Sequence, residues 1–225
     1  MTVKGLLVMD VDSTLIEEEV IDLLGEKAGL GEKISEITEA AMSGELDFKE
    51  ALKERVALLS GLRTTIFDEI YKEIHLTNGA TGLIETLHGR GWKVGVVSGG
   101  FHEIVDKLAV DLKLDYVFAN RLAVQEGYFT GETYGTIVDK SFKLERLKQW
   151  AKENKLDLSE VVAVGDGAND IPMLNAAGLG IAFCAKPAVK AAVAYHIDKR
   201  NLLMVLELLE KYTGQAIAYK LIKKY

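Results

Sequence analysis

Leu6-Leu7-Val8-Met9-Asp10-Val11-Asp12-Ser13-Thr14-Leu15 is an apolar run that stops on two carboxylates two positions apart, with small hydroxyl residues behind them. An apolar run without alternation reads as a strand buried on both faces, as in a parallel sheet. Ligands of open α/β sheets bind outside the carboxyl ends of the strands. Asp10 and Asp12 therefore stand where chemistry is expected. Two carboxylates that close repel each other unless a cation or a proton intervenes. Alone, the stretch also fits a solvated strand end followed by an Asp/Ser turn, and the remaining sequence has to separate the two readings.

Residues 3–10 form the first expected strand. From Ile16 to about Ile74 the apolar spacing becomes helical: Val20, Leu23, Leu24 and Ala28; Ile34, Ile37, Ala41 and Met42; Phe48, Leu52, Val56 and Leu59; Ile66, Ile70 and Ile74. Each group has the i, i+3/i+4, i+7 period of an amphipathic helix. Gly25, Gly29, Gly31, Gly44 and Gly61 punctuate them. After Asn78-Gly79 strands and helices alternate. Strands are expected at 93–97, 116–118, 161–164 and 179–183, with a small hairpin within 121–137. Helices are expected at 80–90, 101–112, 141–154, 169–177, 187–193 and 201–211. Such alternation implies a parallel sheet between two helical layers. The expected fold is α/β, a three-layer, Rossmann-like α/β/α core formed by residues 1–15 and 76–225. Residues 16–75 are expected to form an inserted helical-bundle cap.

The bulk composition narrows the function. The chain has 225 residues, 48% of them hydrophobic, which predicts a packed globule. Its net charge of −7 argues against a nucleic-acid partner, which needs a basic face. The single cysteine, Cys184, forms no internal disulfide and is expected as inert core. The N-terminus lacks a signal-peptide pattern, and no apolar run reaches the ~20 residues of a membrane span. A cytoplasmic protein without a membrane partner is the expectation. A short basic tail, Lys220, Lys223 and Lys224, is expected to be solvated or part of a terminal helix.

Other expected strand ends carry matching chemistry. Ser98-Gly99-Gly100 offers backbone N–H groups and a hydroxyl to an anion. Gly165-Asp166-Gly167-Ala168-Asn169-Asp170 is a second acidic end, where an early helix start would set Asp166 and Asp170 one turn apart. Asp170 would place a charge beside a pyrophosphate, which argues against dinucleotide binding. Leu15 stands where a calcium loop needs glycine. Lys140 and Lys143 open the next helix, where a cation opposes the helix dipole unless an anion lies nearby. Hard oxygen donors without a His/Cys set favour Mg²⁺.

In this order, Asp10-x-Asp12-x-Thr14, Ser98, Lys143 and Gly165-Asp166-x-x-x-Asp170 resemble the haloacid-dehalogenase superfamily of aspartate-nucleophile phosphatases. Four longer stretches resemble its phosphoserine phosphatase branch: Asp10–Thr14 with Glu19, Glu54-Arg55-Val56, Val97–Phe101, and Val164–Asp170. The likeness covers roughly residues 3–210. It implies that Asp10 is the nucleophile and Asp12 the general acid–base. It implies Mg²⁺ held by Asp10, the Asp12 carbonyl and Asp166, with Asp170 in support. Ser98, Gly99 and Lys143 would hold the phosphoryl oxygens, with Gly100 in the same turn and Asn169 beside them; Lys140 is the alternative lysine. Glu19 would meet the substrate ammonium and Arg55 its carboxylate, while Met42 and Phe48 exclude water. The implied substrate is O-phosphoserine, hydrolysed in the last step of serine biosynthesis by a monomer or homodimer. Phosphohomoserine or a phosphorylated amino alcohol is the alternative. A non-enzymatic phospho-acceptor module fits less well, because the acceptor ends the first strand and a cap follows. A dehalogenase would not need Asp12, since halide leaves without a proton.

Overall fold

Leu6–Met9 form β1, and all four side chains are buried. Their directions alternate: Leu7 and Met9 join one apolar layer, Leu6 and Val8 another. A strand has period two, so a strand at the centre of a sheet feeds both layers and must be apolar throughout. The computed structural model describes residues 2–43 and 46–222, with side chains except at 39–43 and 215–222.

The sheet is completed by β2 (Lys93–Phe101), β3 (Tyr116–Gln125), β4 (Tyr128–Tyr134), β5 (Val161–Gly165), β6 (Leu179–Phe183) and β7 (Tyr195–Ile197). Its order is β4-β3-β2-β1-β5-β6-β7, parallel except for the antiparallel β3–β4 pair. Met9 lies opposite Val96 on one side and Val164 on the other. From this centre the chain winds outward through β2 and β3, then returns and winds the opposite way through β5, β6 and β7. The reversal falls at the carboxyl end of β1, which is where such sheets open a crevice.

The first layer includes α5 (Ala80–Gly89), α6 (His102–Leu112) and α10 (Met204–Ile222), through Leu83, Ile104 and Val205. The opposite layer includes α7 (Lys140–Glu153), α8 (Ile171–Ala176) and α9 (Pro187–Ala191), through Leu147, Met173 and Val189. This is the expected three-layer α/β/α arrangement. Between β1 and α5 lie α1 (Val20–Lys27), α2 (Gly31–Ser43), α3 (Phe48–Ala57) and α4 (Ile66–Tyr71), with no strand among the described residues of that segment. The segment leaves and returns side by side: the Thr77 N–H donates to the Leu15 carbonyl at 2.9 Å, and the Glu17 N–H to that of His75 at 2.9 Å. Leu24, Ile34, Leu52, Val56 and Phe67 carry the first apolar layer without a break into these helices.

Several details differ from the expectation. β2 does not stop before Ser98-Gly99-Gly100; it bulges through them and rejoins the ladder at Phe101. β3 extends through Gln125, so the hairpin grows directly out of the sheet. Glu126 and Gly127 at its tip have φ of 52° and 82°, the left-handed pair that matches strand twist in a two-residue turn. β7 is an added short edge strand where no strand was expected, because three residues carry too little period to read. Residues 166–170 form a turn and α8 begins only at Ile171, so Asp166 and Asp170 do not share a helix. Cys184 is half-buried at the end of β6 with φ of 47°, and not sealed in the core. Lys223 and Lys224 lie outside the described residues, as do Gly44 and the side chains of Met42 and Lys220.

Candidate active site

The chain turns sharply after β1. Asp10 Oδ1 accepts from the Val11 N–H at 2.8 Å, and Ser13 takes a left-handed φ of 56°. That conformation costs a non-glycine residue about 1 kcal/mol and persists where neighbours hold it. Here Ser13 Oγ donates to Glu19 Oε1 at 2.6 Å, and Arg200 Nη1 donates to the Ser13 carbonyl at 3.1 Å. The turn brings Asp10 and Asp12 into one pocket and closes toward Thr14, whose hydroxyl donates to Asp166 Oδ1 at 3.0 Å.

Lys143 is completely buried, and its Nζ lies 2.7 Å from Asp10 Oδ2 and 2.7 Å from Asp170 Oδ1. The second Asp170 oxygen accepts from the Gly167 N–H at 3.0 Å. Asp170 thus meets the site through a turn and a backbone bond, which replaces the helical spacing expected from sequence. Lys140 is exposed at the start of α7 and is not drawn to these acids. Carboxylate oxygens of Asp10, Asp166 and Asp170 all lie within 4.8 Å of one another.

Burial, with the charges of neighbouring acids, raises the pKa values of Asp10, Asp12 and Asp166. Burial first, then repulsion from Asp170, lifts Asp10 well above the usual carboxylate range. Burial and repulsion from Asp170 also move Asp166 up to about 6, against the Thr14 hydrogen bond. Burial, then Glu19, raises Asp12. Burial alone would discharge Lys143, but contact with Asp10 and Asp170 holds its ammonium more firmly protonated than an ordinary lysine.

The Ser98-Gly99-Gly100 bulge forms another wall. Ser98 Oγ accepts from the Gly100 N–H at 2.8 Å, so that donor is already paired within the bulge. A Cβ on Gly100 would meet Asp12 Oδ2 at 2.7 Å, and the backbone can approach that carboxylate only because the residue is glycine. The pocket holds about 190 Å³ and is lined on one side by Phe48, Leu52 and Arg55 of α3. These residues sit at i, i+4 and i+7, one helical face. Asp47 fixes the start of that helix with a capping box: its carboxylate accepts from the Lys49 and Glu50 N–H groups at 2.7 and 2.8 Å, and Glu50 accepts from the Asp47 N–H at 3.2 Å. The Arg55 guanidinium has Asp22, Glu19 and Asp12 as its acidic neighbours.

The chain matches the model of the haloacid dehalogenase-like hydrolases over residues 7–175. It belongs to the haloacid dehalogenase-like hydrolase family. Within that family it is 82% identical over 211 residues to a phosphoserine phosphatase of Lactococcus lactis subsp. lactis, covering 94% of this chain and 98% of the relative. It also resembles a solved phospho-aspartyl intermediate analogue of phosphoserine phosphatase, with a TM-score of 0.86 and 44% identity over 92% of this chain and 99% of that one. A substrate-bound phosphoserine phosphatase complex matches at a TM-score of 0.86 and 43% identity, covering 92% and 99% of the two chains.

Of the residues singled out from sequence, the haloacid dehalogenase-like fold brings Asp10, Asp12, Glu19, Phe48, Arg55, Gly99, Gly100, Asp166 and Asn169 to one pocket. Ser98, Lys143 and Asp170 lie buried directly behind its walls. Met42 is the exception, its side chain lying outside the described residues. Ile21, Leu52 and Phe101 also line the pocket and were not expected there. Leu52 was readable, since it shares the Phe48–Arg55 helical face. Phe101 was not, because its position depends on how β2 rejoins the ladder.

Proposed function

We propose that this protein hydrolyses O-phospho-L-serine to L-serine and phosphate through an aspartyl phosphate on Asp10. One observation carries the chemistry: the Asp10 carboxylate is held 2.7 Å from a buried ammonium, beside a second carboxyl with a raised pKa. The 82% identity to a phosphoserine phosphatase across nearly the whole chain supports the substrate.

Three hard carboxylate donors within 4.8 Å, with no imidazole or thiolate among them, suit Mg²⁺. Asp10, Asp166 and Asp170 would hold the ion together with the Asp12 carbonyl, and it would neutralise negative charge on the phosphoryl oxygens. Asp10 attacks phosphorus, forming the Asp10 O–P bond as the bond from phosphorus to the serine oxygen breaks. Lys143, Ser98 and the Gly99 N–H take up phosphoryl charge. Asp12 donates a proton to the departing serine oxygen, a task suited to a carboxyl with a raised pKa. It then removes a proton from the water that attacks the aspartyl phosphate, forming a new O–P bond and releasing Asp10. Asn169 lies beside the phosphoryl group.

Residues 16–75 act as the cap and residues 1–15 and 76–225 as the core. Glu19 pairs with the substrate ammonium and Arg55 grips its carboxylate. Phe48 and Leu52 exclude water. Phosphate release from L-phosphoserine, phosphohomoserine and phosphoethanolamine, with Mg²⁺ or with EDTA, tests the assignment. Phosphoserine is expected to lead and EDTA to stop turnover; a clear preference for phosphoethanolamine would overturn the substrate. Arg55→Ala is expected to raise KM for phosphoserine roughly 10²-fold, the scale of one lost charged pair, and to leave p-nitrophenyl phosphate nearly unaffected. Equal losses on both substrates would remove Arg55 from recognition.

The crowded acids also predict a pH dependence. A carboxyl whose pKa is raised by folding keeps its proton to higher pH than in the unfolded chain. Its contribution therefore favours the folded state at low pH and is lost as pH rises through the folded pKa, about 6 for Asp166. A bound Mg²⁺ offsets this loss. The rise in Tm on adding Mg²⁺ to EDTA-treated protein is expected to be larger at pH 7 than at pH 5. An equal rise at both would show that these acids do not share a cation.

A further inference from the structure

Between Val97 and Phe101 β2 advances four residues while its partner β3 advances two, from Phe118 to Asn120. Ser98, Gly99 and Gly100 are therefore out of register with the ladder, and their backbone groups need other partners. Asn120 supplies one. Its side chain is 1% exposed, and Nδ2 donates to the Gly99 carbonyl at 2.7 Å. Its Oδ1 accepts from the Val138 N–H at 2.8 Å. A carbonyl on one side and an N–H on the other leave the amide a single orientation.

The two partners belong to the two halves of the anion site. Gly99 lies in the bulge that borders the pocket. Val138, itself fully buried, is followed by Asp139, whose carboxylate accepts from the Ser141 and Phe142 N–H groups at 3.0 and 2.9 Å and starts α7. Lys143 stands on the first turn of that helix, and its own N–H donates to the Asp139 carbonyl at 3.0 Å. One buried amide thus ties the phosphate-facing bulge to the root of the helix that carries the ammonium.

We infer that Asn120 is a positioning residue: it sets the separation of the Gly99 backbone and Lys143, and so the fit of the phosphoryl group between them. This rests on the proposed phosphatase reading. Asn120 does not reach the substrate; it acts through the two groups it joins. The requirement is for a donor and an acceptor on one planar head. Aspartate has the same shape but, when ionised, turns an oxygen on the Gly99 carbonyl. When protonated, it restores the donor. Misplacement by about 1 Å far from the reacting atoms is enough to cost on the order of 10²-fold in rate.

The test uses the full-length protein with Asn120→Asp and Asn120→Ser, folding being checked by circular dichroism. Both variants are expected to lose on the order of 10²-fold in kcat/KM. The inhibition constant for inorganic phosphate should rise severalfold, while Mg²⁺ affinity, measured without substrate, stays as in the parent. For Asn120→Asp alone, activity relative to the parent at the same pH should recover as pH falls and its carboxyl takes up a proton. Unchanged phosphate inhibition in a folded variant overturns the inference, as does an aspartate variant whose relative activity ignores pH. If both variants are globally unfolded, Asn120 is a core residue and the inference also fails. Failure of the unsubstituted protein to hydrolyse phosphoserine would instead strike the phosphatase reading.

Discussion

Asp10→Asn is expected to abolish phosphate release from phosphoserine, by on the order of 10⁵-fold or more, with the fold retained. Losing the nucleophile of a covalent mechanism costs that much because the remaining groups then have no bond to stabilise. The substitution keeps the shape of the side chain. Asparagine keeps an oxygen for the Val11 N–H, which Asp10 Oδ1 accepts at 2.8 Å. It removes one negative charge from a site where burial, then repulsion from Asp170, raises the pKa values of Asp10 and Asp166. Its amide nitrogen, however, takes the place of the Oδ2 that pairs with Lys143 at 2.7 Å. Without a divalent ion the variant should therefore melt lower than the parent, while Asp170 still pairs with the ammonium. Acid quenching of the enzyme during turnover of radiolabelled phosphoserine should trap label on the parent chain and none on the variant. A variant that still turned over near the parental rate would remove the covalent route altogether.

Lys143→Ala is expected to remove activity and to destabilise the protein at the same time. The ammonium sits 2.7 Å from both Asp10 and Asp170, and all three side chains are buried. Deleting it leaves two buried carboxylates facing each other, and breaking a buried pair in this way costs about 3–5 kcal/mol. Urea unfolding at pH 7 in EDTA should show that loss, and excess Mg²⁺ should restore part of it. Lys140→Ala, at an exposed position on the same helix, should fold and turn over like the parent. The opposite pattern, with Lys140→Ala inactive and Lys143→Ala active, would reassign the lysine.

The two lysines show where sequence reading ends. Lys143 fits the spacing before Asp166 and Lys140 a looser one, but spacing on a helix start says little about which side chain turns inward. The choice is made by the rotation of α7 against the sheet, which Phe142, Leu147 and Trp150 set by burying their own apolar surfaces. The same holds for Asp166 and Asp170. Their pairing was expected from a helical turn, but a non-helical loop delivers it, closed by the Gly167 N–H on Asp170. The carboxylates arrive where expected by a different local route, because a tertiary partner, Lys143, holds Asp170.

By itself the sequence determined the alternating α/β architecture, the helical insertion after the first strand, and which strand ends carry acids, hydroxyls and glycines. Those features are local: a buried parallel strand must be apolar, and the polar residues that follow it stand at its carboxyl end. Only the tertiary structure decided which lysine meets the acids, how β2 bulges, and that Asn120 joins Gly99, 21 positions before it, to Val138, 18 positions after it. Contacts of that kind depend on strand register and helix rotation, which packing of the whole core sets and no local period records.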